Sequence, residues 1–260
     1  MAAREAIIRV EELTVRYGDR LVLDRISFEV YRGEIFAILG GSGSGKSTLL
    51  KHMIGLYRPA EGRIFVSGDD ITTAEGELRR RILRRFGVTY QSGALFGSMT
   101  LLENVCLPLE EFTDLPAEAR QLVARMKLNL VGLEGFEFAL PADISGGMNK
   151  RAAIARAMAL DPEILFLDEP SAGLDPITSA SLDALIKSLA ASLGITFVVV
   201  THELPSIYAI ADRVLMLNGH TKRLAATGRP EDLRDHSADP LVHAFFHREA
   251  LPESVREAMA

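Results

Sequence analysis

The sequence predicts an α/β protein built on a parallel sheet, and three observations carry the prediction. An apolar strand, 35–39, passes directly into the run Gly40-Gly41-Ser42-Gly43-Ser44-Gly45-Lys46-Ser47-Thr48 and then into a helix. Two more apolar runs, 164–167 and 195–200, each follow a helical stretch and end in polar residues, the pattern of strands covered on both faces. The chain has 260 residues, 48% of them hydrophobic, enough for one large domain with a substantial core and inserted subdomains.

Residues 7–31 alternate with period two: Ile26, Phe28 and Val30 share one face, Ser27 and Glu29 the other, and Tyr17-Gly18-Asp19-Arg20 makes the turn. This is an antiparallel lead-in sheet. Tyr17 stands at that turn, where its ring either stacks on an adenine or packs beside the turn. Residues 58–62 form the next turn and 63–67 a strand. The helix expected over 75–85 carries Arg79, Arg80, Arg81, Arg84 and Arg85. Glu75 and Glu77 precede Arg79 and Arg81 by four residues, so paired charges on a solvated face account for them better than a phosphate site does.

Strand 87–90 leads to Gln91 and a glycine-punctuated loop, 92–97, which suits a segment that touches a site and moves. Residues 101–140 read as helical, broken at Pro108 and Pro116 and by Gly132 and Gly135. Ser145-Gly146-Gly147-Met148 then enters the helix 149–158. After strand 164–167, Asp168-Glu169-Pro170 and the loop 171–175, the chain continues with a helix over 179–192. Strand 195–200 delivers Thr201-His202-Glu203, and strands 213–217 and 221–225 precede a polar tail. In that tail His243 and His247 stand four apart. No further ligand residues cluster there, so a surface helix is the better reading than a metal pair, with Leu241, Val242, Phe245 and Phe246 packing on a second protomer or a small regulatory subunit.

Charge and cysteine content narrow the setting. A net charge of −6 and a pI near 5.6 provide no global positive field for nucleic acid, which is therefore not an expected partner. The single cysteine, Cys106, forms no intrachain disulfide, and the N-terminus lacks the apolar run of a signal peptide. A reducing, cytosolic compartment is the expectation. The apolar runs stop well short of the roughly 20 residues that cross a bilayer. Service to a membrane would go through a partner.

The run 40–48 fits the phosphate-loop pattern G-x-x-x-x-G-K-[ST]. Its glycines let successive N–H groups converge on phosphate oxygens, and the helix end adds about half a positive charge. Lys46 then contacts the β- and γ-phosphates of a nucleotide, and the Ser47 hydroxyl is placed to ligate Mg²⁺. In a parallel sheet ligands collect at the carboxyl ends of the strands, so Gly40, Gln91, Asp168, Glu169 and His202 should converge. Asp168 suits the shell of Mg²⁺, Glu169 a base for the attacking water, and His202 a contact to the γ-phosphate: together, phosphoanhydride hydrolysis. Ser145-Gly146-Gly147 is a second glycine-softened helix end, either a plain N-cap or another anion site. A twofold dimer reconciles it with the single terminal phosphate of ATP, each chain offering this end to the nucleotide of its partner.

With these motifs in hand, the chain resembles the nucleotide-binding subunits of ABC transporters over nearly its whole length. The resemblance implies a RecA-like P-loop ATPase core with an antiparallel β subdomain and an inserted helical subdomain, the ABC cassette. It spans residues 1–247, with the insertion at about 99–150 and a tail from 248 to 260. By resemblance Tyr17 matches the adenine-stacking loop, Gly40 to Thr48 the Walker A loop, Gln91 the Q-loop and a Mg²⁺ contact, and Ser145-Gly146-Gly147 the signature. Asp168 and Glu169 match Walker B and its base, Asp175 the D-loop and His202 the switch histidine. Ile144 replaces the usual leucine before the signature, and Met148 the usual glutamine after its glycines. Met148, the loop 91–96 and the segment 171–177 are similar to one branch, the ATPases of Mla-type (MCE-associated) lipid transport. That likeness implies a head-to-tail dimer around two ATP at the cytoplasmic face of the inner membrane, permease subunits, an MCE lipid-binding protein and phospholipid cargo. The alternatives are a non-lipid cargo, a soluble ABC ATPase acting on ribosomes or DNA, and a structural subunit without turnover; Glu169 and His202 together weigh against the last.

Overall fold

The computed structural model describes residues 4–251; the remainder of the tail lies outside them. β1 (Ala6–Tyr17) and β2 (Arg20–Tyr31) form the expected hairpin, with Tyr17 opposite Arg20 and Gly18 at φ 59°. A tight hairpin needs positive φ in its turn, and glycine adopts it without strain. β3 (Ile35–Leu39), wholly buried, leads to α1 (Lys46–Met53). β4 (Glu61–Val66) pairs with the other edge of β1, and the short β5 (Asp69–Asp70) extends this sheet to the order β2-β1-β4-β5.

α2 (Gly76–Leu83) precedes β6 (Phe86–Thr89). The arginines of α2 do not form the expected i,i+4 pairs. Glu75 is the N-cap, in extended backbone outside the helical spacing, and it pairs with Arg58 at 2.5 Å. Arg79 donates to the Gly55 carbonyl at 2.5 Å and Arg80 to that of Glu111 at 2.7 Å, while Arg81 and Arg85 meet Asp69 at 3.4 and 3.0 Å. These side chains fasten α2 to its neighbours.

The helical insertion contains α3 (Leu101–Phe112) and α4 (Ala117–Leu130). Pro108 does not break α3 as expected: it lies inside the helix, whose start is firmly anchored. A capping box links Thr100 and Glu103, and the buried Asn104 amide bonds Phe96, Met99 and Thr100. Pro116 does mark a boundary, as the N-cap of α4. α5 (Gly146–Ala157) begins three residues earlier than expected, directly after Ser145.

The core resumes with β7 (Ile164–Asp168), α6 (Pro176–Leu193), β8 (Thr196–Val200), α7 (Leu204–Ile210), β9 (Arg213–Leu217) and β10 (Leu224–Gly228). Among the described residues the second sheet has the order β10-β9-β3-β8-β7-β6, parallel except for the β10 edge. Period two sorts its side chains. Ile164, Phe166, Val198 and Val200 enter the core shared with the first sheet, while Leu165, Leu167, Phe197 and Val199 enter the core under α3, α5 and α6. Parallel pairing puts the ends of β3, β6, β7 and β8 along one edge, which positions the site.

The chain ends in α8 (Pro230–His236) and α9 (Pro240–His247). Here the expectation of an external partner for the tail helix is corrected: Val242 and Phe246 are buried against Ala37, Leu39, Val214 and Met216 of the chain's own sheet. His243 and His247 stack with ring centroids 4.0 Å apart, and among the described residues no three or more His, Cys, Asp or Glu side chains are arranged to hold a metal ion on their own.

Candidate functional site

Positive φ builds the loop between β3 and α1. Gly40 has φ 147°, and a Cβ there would lie 2.5 Å from Ser44 Oγ and 2.8 Å from the Leu217 carbonyl oxygen. Gly45, at φ 101°, is the N-cap of α1 and supplies no side-chain cap. The first-turn N–H groups are thus left for an anion rather than for a serine or aspartate oxygen. Lys46 Nζ lies over the loop, donating to the carbonyls of Gly40 at 2.8 Å and Gly41 at 3.1 Å. Burial lowers its pKa below the ordinary lysine value, and Glu169 and Asp168 push the other way.

Two clefts meet at α1. One, of about 370 Å³, runs from the half-exposed Tyr17 ring past Arg20 and Val22 to Gly43, Ser44, Gly45, Lys46, Ser47 and Thr48. The other, of about 590 Å³, is lined by Ser47, Lys51, Gln91, Asp168, Ala172 and Gly173. Ser47 lines both, so the two clefts adjoin at the start of α1.

At the ends of β7 and β8 the two carboxylates have different partners. Glu169 sits in left-handed backbone, φ 48°, with its N–H bonded to the Val200 carbonyl at 2.8 Å. A non-glycine residue there stores strain of about 1–3 kcal/mol and is held by its surroundings. Its Oε1 is 2.8 Å from His202 Nδ1, while Glu169 Oε2 and Asp168 Oδ1 are buried without a hydrogen-bond partner. Burial, then the charge of Glu169, raises the Asp168 pKa above the ordinary aspartate value.

Ser145, Gly146 and Gly147 line neither cleft. Ser145 and Gly146 are exposed; Ser145 Oγ caps α5, accepting from the Met148 N–H at 3.2 Å. Gly147 is buried where α5 crosses α6, and a Cβ there would lie 2.5 Å from Thr178 Cγ2. Asp175 caps α6 through Ile177 and Thr178, and these hydrogen bonds, the Thr178 hydroxyl first, lower its pKa.

Two α5 residues escaped the sequence reading. Lys150 donates to the Gln91 carbonyl and, at 3.4 Å, to that of Glu169; Arg156 donates to the carbonyls of Ala94 at 2.7 Å and Gly93 at 3.2 Å. They tie the helix behind Ser145 to the loop after Gln91 and to the end of β7. Their only sequence signal is basic residues within an alanine-rich helix, which does not specify the carbonyls they reach.

This fold and these clefts define an ATP-binding cassette, and the chain belongs to the ABC transporter family, whose model matches residues 23–172. The matched span includes the phosphate loop, Gln91, Ser145-Gly146-Gly147, Asp168 and Glu169; Tyr17, Asp175 and His202 lie outside it. The chain is 40% identical, over 92% of its length and 88% of the relative's, to the intermembrane phospholipid transport system ATP-binding protein MlaF of Escherichia coli (strain K12). It is also 40% identical over 92% of its length, but only 68% of the relative's, to the probable ribonucleotide transport ATP-binding protein mkl of Mycobacterium leprae. Among solved structures it resembles the dimeric post-hydrolysis state of the cassette MJ0796 bound to ADP and Pi. The TM-score is 0.76 at 31% identity, covering 85% of this chain and 98% of that one. The chain is an ATP-hydrolysing subunit of an ABC transport complex.

Proposed function

We propose that two copies of this chain close head to tail around two ATP and drive phospholipid transport through a separate permease in the membrane. The carrying observation is the Glu169–His202 pair at 2.8 Å beside the phosphate loop. In this reading Glu169 takes the proton of a water whose oxygen attacks the γ-phosphorus as the bond to the bridging oxygen of ADP breaks. His202 orients that carboxylate and contacts the phosphoryl group. Lys46 and the N–H groups of residues 41–48 offset the charge on the phosphates, Tyr17 stacks on adenine, and Gln91 links the site to its mobile loop.

Mg²⁺ fits the donors present. Ser47, Gln91 and Asp168 offer only oxygen and line one cleft, and Asp168 Oδ1 is buried, unpartnered and beside a second carboxylate, an arrangement a cation relieves. When bound, the ion supplies charge neutralisation at the phosphates. Ser145 and Gly146, exposed at the start of α5, and the buried Gly147 after them serve the nucleotide of the partner copy, and Asp175 lies at the same interface.

No helix among the described residues is long and apolar enough to cross a membrane. The subunit works peripherally, at the cytoplasmic face of the inner membrane, on permease subunits, with an MCE lipid-binding protein beyond them and a small regulatory subunit as a further partner. Phospholipid is favoured over a polar cargo because the MlaF match runs over nine-tenths of both chains' lengths, whereas the mkl relative extends well beyond its match.

Glu169→Gln tests the central role. Turnover should fall by about 10²–10⁴-fold, the usual worth of a general base, while ATP still binds and holds the dimer closed. Normal hydrolysis by this variant would remove Glu169 from the mechanism.

A further inference from the structure

Between α6 and α7 lies a cavity of about 440 Å³ that the hydrolysis reading does not use. Most of its wall is apolar, formed by Leu174, Pro176, Ala180, Ala184, Ala209 and Ile210. Into this wall the sequence puts an aspartate, Asp183, only 6% exposed. Burial raises its pKa above the ordinary aspartate value, the Ser206 hydroxyl lowers it in part, and Glu203, also on the wall, raises it further. The cation one turn along does not compensate. Lys187 Nζ donates to the Ala209 carbonyl at 3.2 Å, and Asp183 has no ion pair among the described residues.

A carboxylate in an apolar wall is strongly disfavoured unless a cation or several donors meet it, and Asp183 has one hydroxyl. An apolar cavity with one or two convergent charges is the usual layout of a small-molecule site, and the volume falls within the roughly 300–1,000 Å³ of such sites. The two carboxylates, Asp183 and Glu203, outnumber the one lysine of the wall, Lys187, whose Nζ lies on the Ala209 carbonyl rather than on either of them, and set the sign of the ligand.

We propose that this cavity binds a small amphipathic cation, an alkylammonium whose chain lies on the alanine and isoleucine wall and whose head pairs with Asp183. Leu174 and Pro176 flank Asp175, and Glu203 follows His202, so the ligand rests against both segments. The proposal concerns binding alone and does not depend on the roles given to Asp175 or His202.

The full chain titrated calorimetrically with n-octylammonium should bind it saturably at one site. The equal-chain probes n-octanol and octanoate should bind at least about tenfold more weakly, because octanol has no positive charge to pair with the carboxylate and octanoate is repelled by it. Asp183→Asn should weaken octylammonium by a similar factor and leave octanol unchanged. Ala209→Phe, which fills the cavity, should abolish octylammonium binding while ATP binding at the phosphate loop persists. Should Asp183→Asn fail to fold, the probe series on the unaltered chain and Ala209→Phe still decide. Absence of saturable binding, equal affinity for the three probes, or binding that survives Ala209→Phe would overturn the proposal. So would binding of oligolysine in place of octylammonium, which would assign the cavity to a protein partner.

Discussion

α1 and α5 both begin in serine and glycine, yet their N-termini differ in nearly every physical respect. At α1 the cap is Gly45, which offers no side-chain oxygen to its own helix, and the loop before it is pinned at its base: Ser44 is 1% exposed and a Cβ on Gly40 would lie 2.8 Å from the Leu217 carbonyl oxygen, while Gly41, Ser42 and Gly43 are exposed. At α5 the cap is Ser145, whose hydroxyl already serves the helix, and the end is exposed. One end lies in a cleft of its own chain with Tyr17, and the other lines no part of that cleft. The difference teaches that two glycine-rich helix ends of similar composition can open into different settings, one into a cleft lined by its own chain and the other onto the open surface. In the proposed dimer the exposed end is completed by a second body, the partner copy.

The comparison breaks first at Gly40. Gly40→Ala would place a side chain at φ 147° with contacts of 2.5 and 2.8 Å, and strain of about 1–3 kcal/mol before the clash should lower ATP affinity by roughly 10²-fold or more. Titration of the isolated chain with ATP measures it; unchanged affinity would mean the loop is not the phosphate cradle.

Gly147→Ala sharpens the contrast with a smaller effect. Overpacking against Thr178 costs about 1–3 kcal/mol, offset by up to about 1 kcal/mol for replacing a helical glycine. A net loss of about 1–2 kcal/mol should appear in denaturant unfolding. ATP affinity of the isolated chain should not move, since this helix end is outside the cleft; a matching loss of affinity would join the two ends in one chain.

Legibility in the sequence follows the range of the interactions. The phosphate loop could be read because its spacing and its special φ values are local, and the Tyr17–Arg20 hairpin because alternation and turn chemistry are local too. Asp168 and Glu169 could be read from an apolar strand running into carboxylates. The partners of the α2 arginines could not, since Gly55, Asp69 and Glu111 are brought to them only by tertiary packing. The start of α3 is tied to the preceding loop by Asn104, whose four bonds no periodicity reveals. The same limit explains α9. Its apolar face shows in the sequence that it needs a cover, but that β3 and β9 supply it depends on where the sheet edge lies.

The central claim, that one catalytic site is shared by two chains, is tested most directly by ATP hydrolysis in two mixed dimers. In the first, one chain carries Ser145→Arg and its partner Lys46→Ala; both lesions then fall in one composite site and the other remains whole. In the second, one chain carries both lesions and its partner none, so each composite site is damaged once. The account predicts hydrolysis by the first dimer and little by the second. If the second hydrolyses ATP and the first does not, each chain uses its own Ser145, and the shared site is contradicted.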